Sequence, residues 1–64
     1  MNVTEMVQAP MNGYSTQSVI ELESLARQAR AVLEKFRSLD VRDVQVTVSL
    51  DYNQLRARFT GTLP

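Results

Sequence analysis

Apolar and polar residues recur with a helical period along the middle of the chain. Between residues 15 and 39, apolar side chains return every three or four positions, which at ~100° per residue places them on one arc. The arc consists of Leu22, Leu25, Ala26, Ala29, Val32, Leu33, Phe36 and Leu39. Charged residues occupy another side, and residues 21–39 contain neither Gly nor Pro. The pattern predicts one amphipathic helix over residues 15–39.

The start of this helix has two candidate positions. Ser15 and Ser18 are alternative N-caps, and Ser18 would form a capping box with Glu21. The stretch from Pro10 to Gly13 predicts a loop before either cap, because Pro and Gly this close interrupt regular structure.

The C-terminal part of the chain alternates with a period of two, which is typical of half-buried strands. The alternating apolar residues are Val44, Val46, Val48 and Leu50, then Leu55, Ala57 and Phe59. We therefore predict a hairpin with strands at residues 44–51 and 54–62. A turn at residues 52–53 pairs Leu50 with Leu55 and Val46 with Phe59, which keeps all apolar residues on one face. The type of turn stays open, because the Asn-Gly pair that tight hairpins prefer is missing.

Residues 2–9 show a weaker alternation that predicts a third strand. Its apolar side carries Met1, Val3, Val7 and Ala9, but Glu5 also falls on that side. One interpretation is an edge strand of the same sheet, in which the inward-pointing charge of Glu5 discourages further pairing. The other is an arm that docks on a neighbouring subunit, with Met6 and Met11 as adaptable contacts.

Together these elements predict an α+β fold in one domain, residues 1–64. It has two layers in the order β-α-β-β, with the long helix packed on a sheet made of the antiparallel hairpin and the N-terminal edge strand. Because the apolar arc of the helix matches the apolar face of the hairpin, we expect the helix to cover that face. Val46→Asp is then expected to unfold the protein by placing an unpaired charge in the core. The opposite face of the sheet stays uncovered.

Length and composition add the expectation of self-association. A chain of 64 residues buries only ~60% of the surface of its unfolded form, so a single copy is marginally stable. The sequence contains no Cys and no His, which excludes disulfides and metal sites built on thiolate or imidazole. Association with partner subunits remains as the stabilising device.

Charge and motifs favour a non-catalytic protein. Seven acidic and seven basic residues cancel, so no basic or acidic tract points to a polyanion. His and Cys, the commonest general base and the thiol nucleophile, are missing, and no Gly-rich phosphate loop occurs. We expect no cofactor and no metal. We also expect a cytoplasmic protein outside the membrane, because no apolar run approaches ~18 residues.

Two surfaces are candidates for contact with a partner. The uncovered sheet face carries polar and basic residues, among them Thr47, Arg56 and Arg58. Arg side chains there would contact a protein or the phosphates of a nucleic acid, although the face lacks aromatic residues for base stacking. A stripe on the helix, away from its apolar arc, combines small residues with an apolar one and would admit a second helix. The stripe contains Ile20, Ser24 and Ala31.

The sequence thus predicts a small interaction protein that acts by surface contact, either as a homo-oligomer or as an adaptor or inhibitor of a larger protein. The alternative is nucleic-acid binding through Arg56 and Arg58. A third possibility is the binding of a small ligand between the subunits of an oligomer.

Overall fold

The chain forms one helix and a three-stranded antiparallel sheet. The computed structural model describes residues 1–11 and 16–64, and the elements are β1 (Asn2–Pro10), α1 (Thr16–Ser38), β2 (Arg42–Asp51) and β3 (Gln54–Thr62). β3 is the central strand, with β1 on one side and β2 on the other. The predicted α+β fold of order β-α-β-β is confirmed. The N-terminal residues form an edge strand of the same sheet, so the interpretation as an arm on a neighbouring subunit is wrong.

The helix begins at Thr16 and ends at Ser38, against the predicted 15–39. Ser18 therefore lies inside the helix, so its assignment as the N-cap is wrong. Ser15, the alternative cap, and the end of the predicted loop at residues 12 and 13 lie outside the described residues.

Asp40 ends the helix in the left-handed conformation, with φ 55°. The Val41 amide donates to the Phe36 carbonyl at 2.9 Å, and the Asp40 amide donates to the Arg37 carbonyl at 3.1 Å. These two bonds define a Schellman motif, in which the left-handed position is usually Gly. The sequence has no Gly there, and Asp takes its place.

The hairpin of β2 and β3 has the predicted register. Val46 lies opposite Phe59, and Leu50 lies opposite Leu55. Tyr52 and Asn53 form the turn with φ values of 49° and 62°, and two positive φ values in a two-residue loop are the mark of a type I′ turn. This settles the turn type that the sequence left open.

A bulge allows β2 to begin earlier than predicted, at Arg42. Arg42 pairs with Thr62 and Gln45 with Thr60, so β2 has one residue more than β3 over this interval. Asp43 lies in the bulge with φ 54°, as the first residue of a G1-type bulge does. Val44 and Val46 are two residues apart along the strand and therefore share a face.

The core lies between α1 and two of the three strands, β1 and β3. Its buried cluster consists of Val32 and Phe36 on the helix with Ala57 and Phe59 on β3. The inner side chains Val3 and Val7 of β1 pack against this cluster. Every residue of β2 is exposed. The helix thus covers β1 and β3 and leaves β2 open.

The expected burial of the β2 face is therefore wrong, for a geometric reason. Three strands at ~4.8 Å spacing make a sheet about 14 Å wide, whereas a helix with its side chains is about 10–12 Å across. One helix covers two strands. Val46 is 50% exposed, so the reason for expecting Val46→Asp to unfold the protein no longer holds. The helix residues Leu22, Leu33 and Leu39, predicted to be in the core, are also exposed.

Candidate interaction surface

The inner face of β2 is a strip of exposed apolar side chains. Val48 is 61% exposed and Leu50 is 67% exposed, although their register partners Ala57 and Leu55 are buried or half-buried. The strip lies on the same side of the sheet as the helix, but beyond the reach of the helix.

The flank of α1 that faces β2 adds apolar side chains on the helix side of this strip. Lys35 of α1 forms an ion pair with Glu5 of β1, with Nζ and Oε1 2.5 Å apart, so the flank carrying Lys35 faces β1. At ~100° per residue, Leu22 and Leu33 lie roughly 140–160° around the helix from Lys35. They therefore face β2, and each is 45% exposed.

These residues lie on the same side of the sheet, and we call them together the open apolar face. It consists of Val44, Val46, Val48 and Leu50 on β2 with Leu22 and Leu33 on α1. The face contains no charged side chain. Scattered single apolar residues are ordinary on protein surfaces, but a contiguous group of this size is typical of an interaction site.

The two edge strands of the sheet differ in how they are protected. On β1, Glu5 points to the inner face opposite Phe59 and is held there by Lys35, and Pro10 ends the strand without an amide hydrogen. An inward-pointing charge and a Pro are both devices that prevent a further strand from pairing. From Val44 to Leu50, β2 has neither device.

The outer face of the sheet brings together Thr47, Arg56 and Arg58, as the sequence predicted. Thr47 lies opposite Arg58 in the register of β2 and β3. The three residues line a shallow cleft of about 220 Å³ with Met6 and Ser49. Among the described residues, Arg56 Nε is the one buried side-chain nitrogen or oxygen without a hydrogen-bond partner.

The stripe of Ile20, Ser24 and Ala31 lies elsewhere. These residues fall within roughly 60° of Lys35 around the helix, on the flank away from β2. Ile20 and Ala31 are exposed, whereas Ser24 is half-buried and accepts a hydrogen bond from the Gln28 side chain at 3.3 Å. The helix lies on the inner side of the sheet, so this stripe and the arginines of the outer face belong to separate surfaces.

Sequence reasoning missed the open apolar face because it assigned all six residues to the core. The alternation and the register gave the correct side for each strand residue. The signal that was available is the width of the two layers, since one helix is narrower than three strands. Which strand stays uncovered depends on the strand order, and the order followed from the pairing of β1 with β3.

The described residues offer few other features that indicate a function. Within residues 1–11 and 16–64, no group of three acidic side chains could hold a metal ion. Besides the pair of Lys35 and Glu5, an exposed ion pair joins Arg42 and Asp40 at 3.3 Å. No helix in the described part of the chain is long and apolar enough to cross a membrane.

Comparison of the chain with models of protein families, with curated proteins and with solved structures gives no match.

Proposed function

We propose that this chain is a small, non-catalytic interaction protein that acts by surface contact and associates with itself through the open apolar face. The observation that carries the proposal is the exposure of Val46, Val48 and Leu50 in one uninterrupted row. The cytoplasmic location expected from the sequence belongs to the same proposal.

The total surface supports association. A folded monomer of 7.2 kDa exposes about 4,100 Å² of surface, whereas this chain exposes 4846 Å². The excess is roughly 700 Å², close to the area of about 800 Å² that each partner contributes to a specific interface. The radius of gyration supports the same conclusion, because it is 13.0 Å against about 10.7 Å for a compact domain of this length.

The chemistry of the face restricts what can cover it. Valine and leucine side chains gain by leaving water, at about 25 cal/mol per Å² buried, and they offer no hydrogen bond or charge for a polar partner. The partner must present an apolar surface of similar shape. A second copy of the chain presents such a surface. Because the core of each copy is small, burial of apolar surface between two copies would add to the stability of both.

The experiment that tests this proposal is the substitution Val46→Asp, with Thr4→Asp as the matched control. Both sites are exposed strand positions, but Val46 lies in the open apolar face and Thr4 lies on the outer face of β1. We expect the native protein and the Thr4→Asp variant to have at least twice the mass of 7.2 kDa in native mass spectrometry. Val46→Asp should weaken association at least ~100-fold, because a carboxylate would be buried without a partner.

Circular dichroism and thermal unfolding separate lost association from lost folding. The melting temperature of the native protein should rise with protein concentration, as it does when folding and association are coupled. A native protein of 7.2 kDa at all concentrations would overturn self-association. The adaptor or inhibitor of a larger protein would then be the form of the proposal to pursue.

A second candidate function, nucleic-acid binding, rests on the outer face. The register neighbours of Arg56 are Gln8 and Ser49, and those of Arg58 are Met6 and Thr47, so no acidic side chain lies directly opposite either guanidinium. Two arginines would contact phosphates. The zero net charge and the lack of aromatic residues on this face argue for the apolar contact instead.

This candidate is tested by removing both charges, Arg56→Ala with Arg58→Ala. Arg27→Ala with Arg30→Ala is the control, because it removes the same charge from exposed positions on the helix. If the outer face binds nucleic acid, the native protein will bind labelled single-stranded DNA at low salt and the first double variant will not. Equal binding by the two double variants, or no binding by the native protein, would exclude this function.

A further inference from the structure

We infer that β2 of each copy pairs edge to edge and antiparallel with β2 of a second copy about a twofold axis at Thr47, so that the two open apolar faces join into one surface. The inference deepens the proposed function and rests on it. Three features of the molecule support it: the free edge of β2, the symmetry of its apolar positions and the chemistry of its outer face.

One edge of β2 is free to pair with another strand. β2 pairs with β3 along one edge, and no other described strand pairs with its second edge. Backbone amides and carbonyls along that edge are therefore available to another strand. Since β1 is protected by Glu5 and Pro10, β2 is the edge at which a strand can be added.

The spacing of apolar residues restricts how two β2 strands can pair. In an antiparallel pair about a twofold axis, residue i of one copy faces residue j of the other, and the sum of i and j is constant. Val44, Val46, Val48 and Leu50 all have even numbers, so only an even sum places apolar residues of both copies on one face. An odd sum would turn the open apolar face of one copy away from that of the other.

Among the even sums, one uses all four residues. With Thr47 opposite Thr47 of the second copy, Val46 faces Val48 and Val44 faces Leu50. A shift of the axis to Val46 leaves Leu50 without an apolar partner. A shift to Val48 leaves Val44 opposite the turn residue Tyr52. The sequence of β2 is thus self-complementary about Thr47.

The polar positions of β2 accept the same arrangement. On the outer face, the axis at Thr47 places Gln45 opposite Ser49 of the second copy, so neutral side chains meet neutral side chains. By the same sum, Asp51 of one copy faces Asp43 of the other, next to Arg42. That end of the paired strands contains charges of both signs, so the charged residues lie at the rim and not in the centre.

The paired strands would form a six-stranded sheet with both helices on one side. The two apolar strips then lie next to each other, bordered by Leu22 and Leu33 of each helix. In this arrangement the flanks of the neighbouring valine and leucine side chains contact each other across the two paired strands. Backbone hydrogen bonds along the edge add to this contact.

A cysteine at the axis tests the inference, because the chain contains no cysteine of its own. Opposite residues in an antiparallel pair have Cα atoms ~4.5–5.5 Å apart, which a disulfide spans. We expect the Thr47→Cys variant, oxidised in air at micromolar concentration, to run mostly at twice its mass without reductant. Ser49→Cys is the matched control on the same strand and face, and its two thiols would be roughly 14 Å apart.

The outcomes are distinct. A linked dimer from Thr47→Cys and little from Ser49→Cys supports the inference. A native dimer in which Thr47→Cys stays unlinked, or in which Ser49→Cys links equally well, overturns the edge pairing and leaves the proposed function standing. Two sheets stacked face to face give the unlinked result, because Thr47 would then lie on the far side of each sheet. A monomeric native protein overturns the inference together with self-association.

Discussion

Asp40 occupies a backbone position that suits glycine better. Its φ of 55° lies in the left-handed region, where a side chain crowds the backbone and costs most residues roughly 1–2 kcal/mol, with Asp and Asn penalised less. The position is nevertheless required, because it turns the chain so that the Val41 amide reaches the Phe36 carbonyl. Val41 then packs against the core cluster. Asp40 therefore sustains the link from the helix to β2 at some cost.

We predict that Asp40→Gly is more stable than Asp40→Ala by about 1 kcal/mol. Both variants remove the exposed ion pair with Arg42, so their difference isolates the backbone conformation. Urea unfolding at one fixed protein concentration measures it. An Ala variant as stable as the Gly variant would show that the left-handed conformation carries no cost here.

Gly61 is a second residue that is set by its surroundings. It lies on the inner face of β3, where a Cβ would overlap Cγ1 of Val41 and come within 3.1 Å of the carbonyl oxygen of Arg42. The missing side chain lets the chain leaving the helix pass close to the sheet. The sequence alone did not assign a role to Gly61, because the role depends on a contact with Val41, twenty residues earlier.

At the scale of the elements, the strands and their faces were predictable and their burial was not. The side-chain period of two fixes which residues share a face, and the requirement that apolar residues stay together fixes the hairpin register. The same reasoning placed Glu5 on the inner side of β1, where it pairs with Lys35. These predictions depend on neighbours along the chain or across a hairpin.

Burial depends on where the helix lies, and that is a relation between elements far apart in the sequence. The apolar arc of α1 is wide enough to suggest that it covers the hairpin. In the structure, Val32 and Phe36 pack against β3 and the adjacent side chains of β1, and Leu22 and Leu33 are left on the flank above β2. The arc is thus divided between the core and the open apolar face. Periodicity cannot distinguish these two environments, because both require apolar residues.

For the candidate sites the same limit applies. The sequence placed Thr47, Arg56 and Arg58 on one polar face, and the structure brings them together around a cleft. It also placed Ile20, Ser24 and Ala31 on one helix stripe, which the structure keeps as a separate surface. Contact with a partner at either place stays a prediction. The open apolar face depends on the strand order β1-β3-β2, which the sequence did not predict.

At the scale of the whole molecule, surface and core are out of proportion for an isolated chain. Six buried apolar residues form the core in the described part of the chain, whereas twelve large apolar residues are exposed there. Hydrophobic burial is the main stabilising contribution to folding, so a monomer leaves much of it unused. Association is therefore expected to raise the stability of the folded chain.

In the proposed assembly, the ion pair of Glu5 and Lys35 limits each copy to one partner. A sheet has two edges, but because the β1 edge is guarded, a copy has one edge to offer, and a contact about a twofold axis uses it up. Assembly through β2 is then closed and stops at a definite size. If both edge strands could pair with another copy, each added copy would present a new unpaired edge, and the assembly would grow without limit.

We therefore predict that Glu5→Val turns a closed assembly into an open-ended one. Light scattering should show species that keep growing with protein concentration and time, whereas the control Glu23→Val, which removes the same charge from an exposed helix position, should leave the size unchanged. Equal size distributions for the two variants would mean that the charge at Glu5 does not guard the edge. If only the Glu5→Val assembly keeps growing, a single carboxylate makes the difference between a finite complex and a fibre.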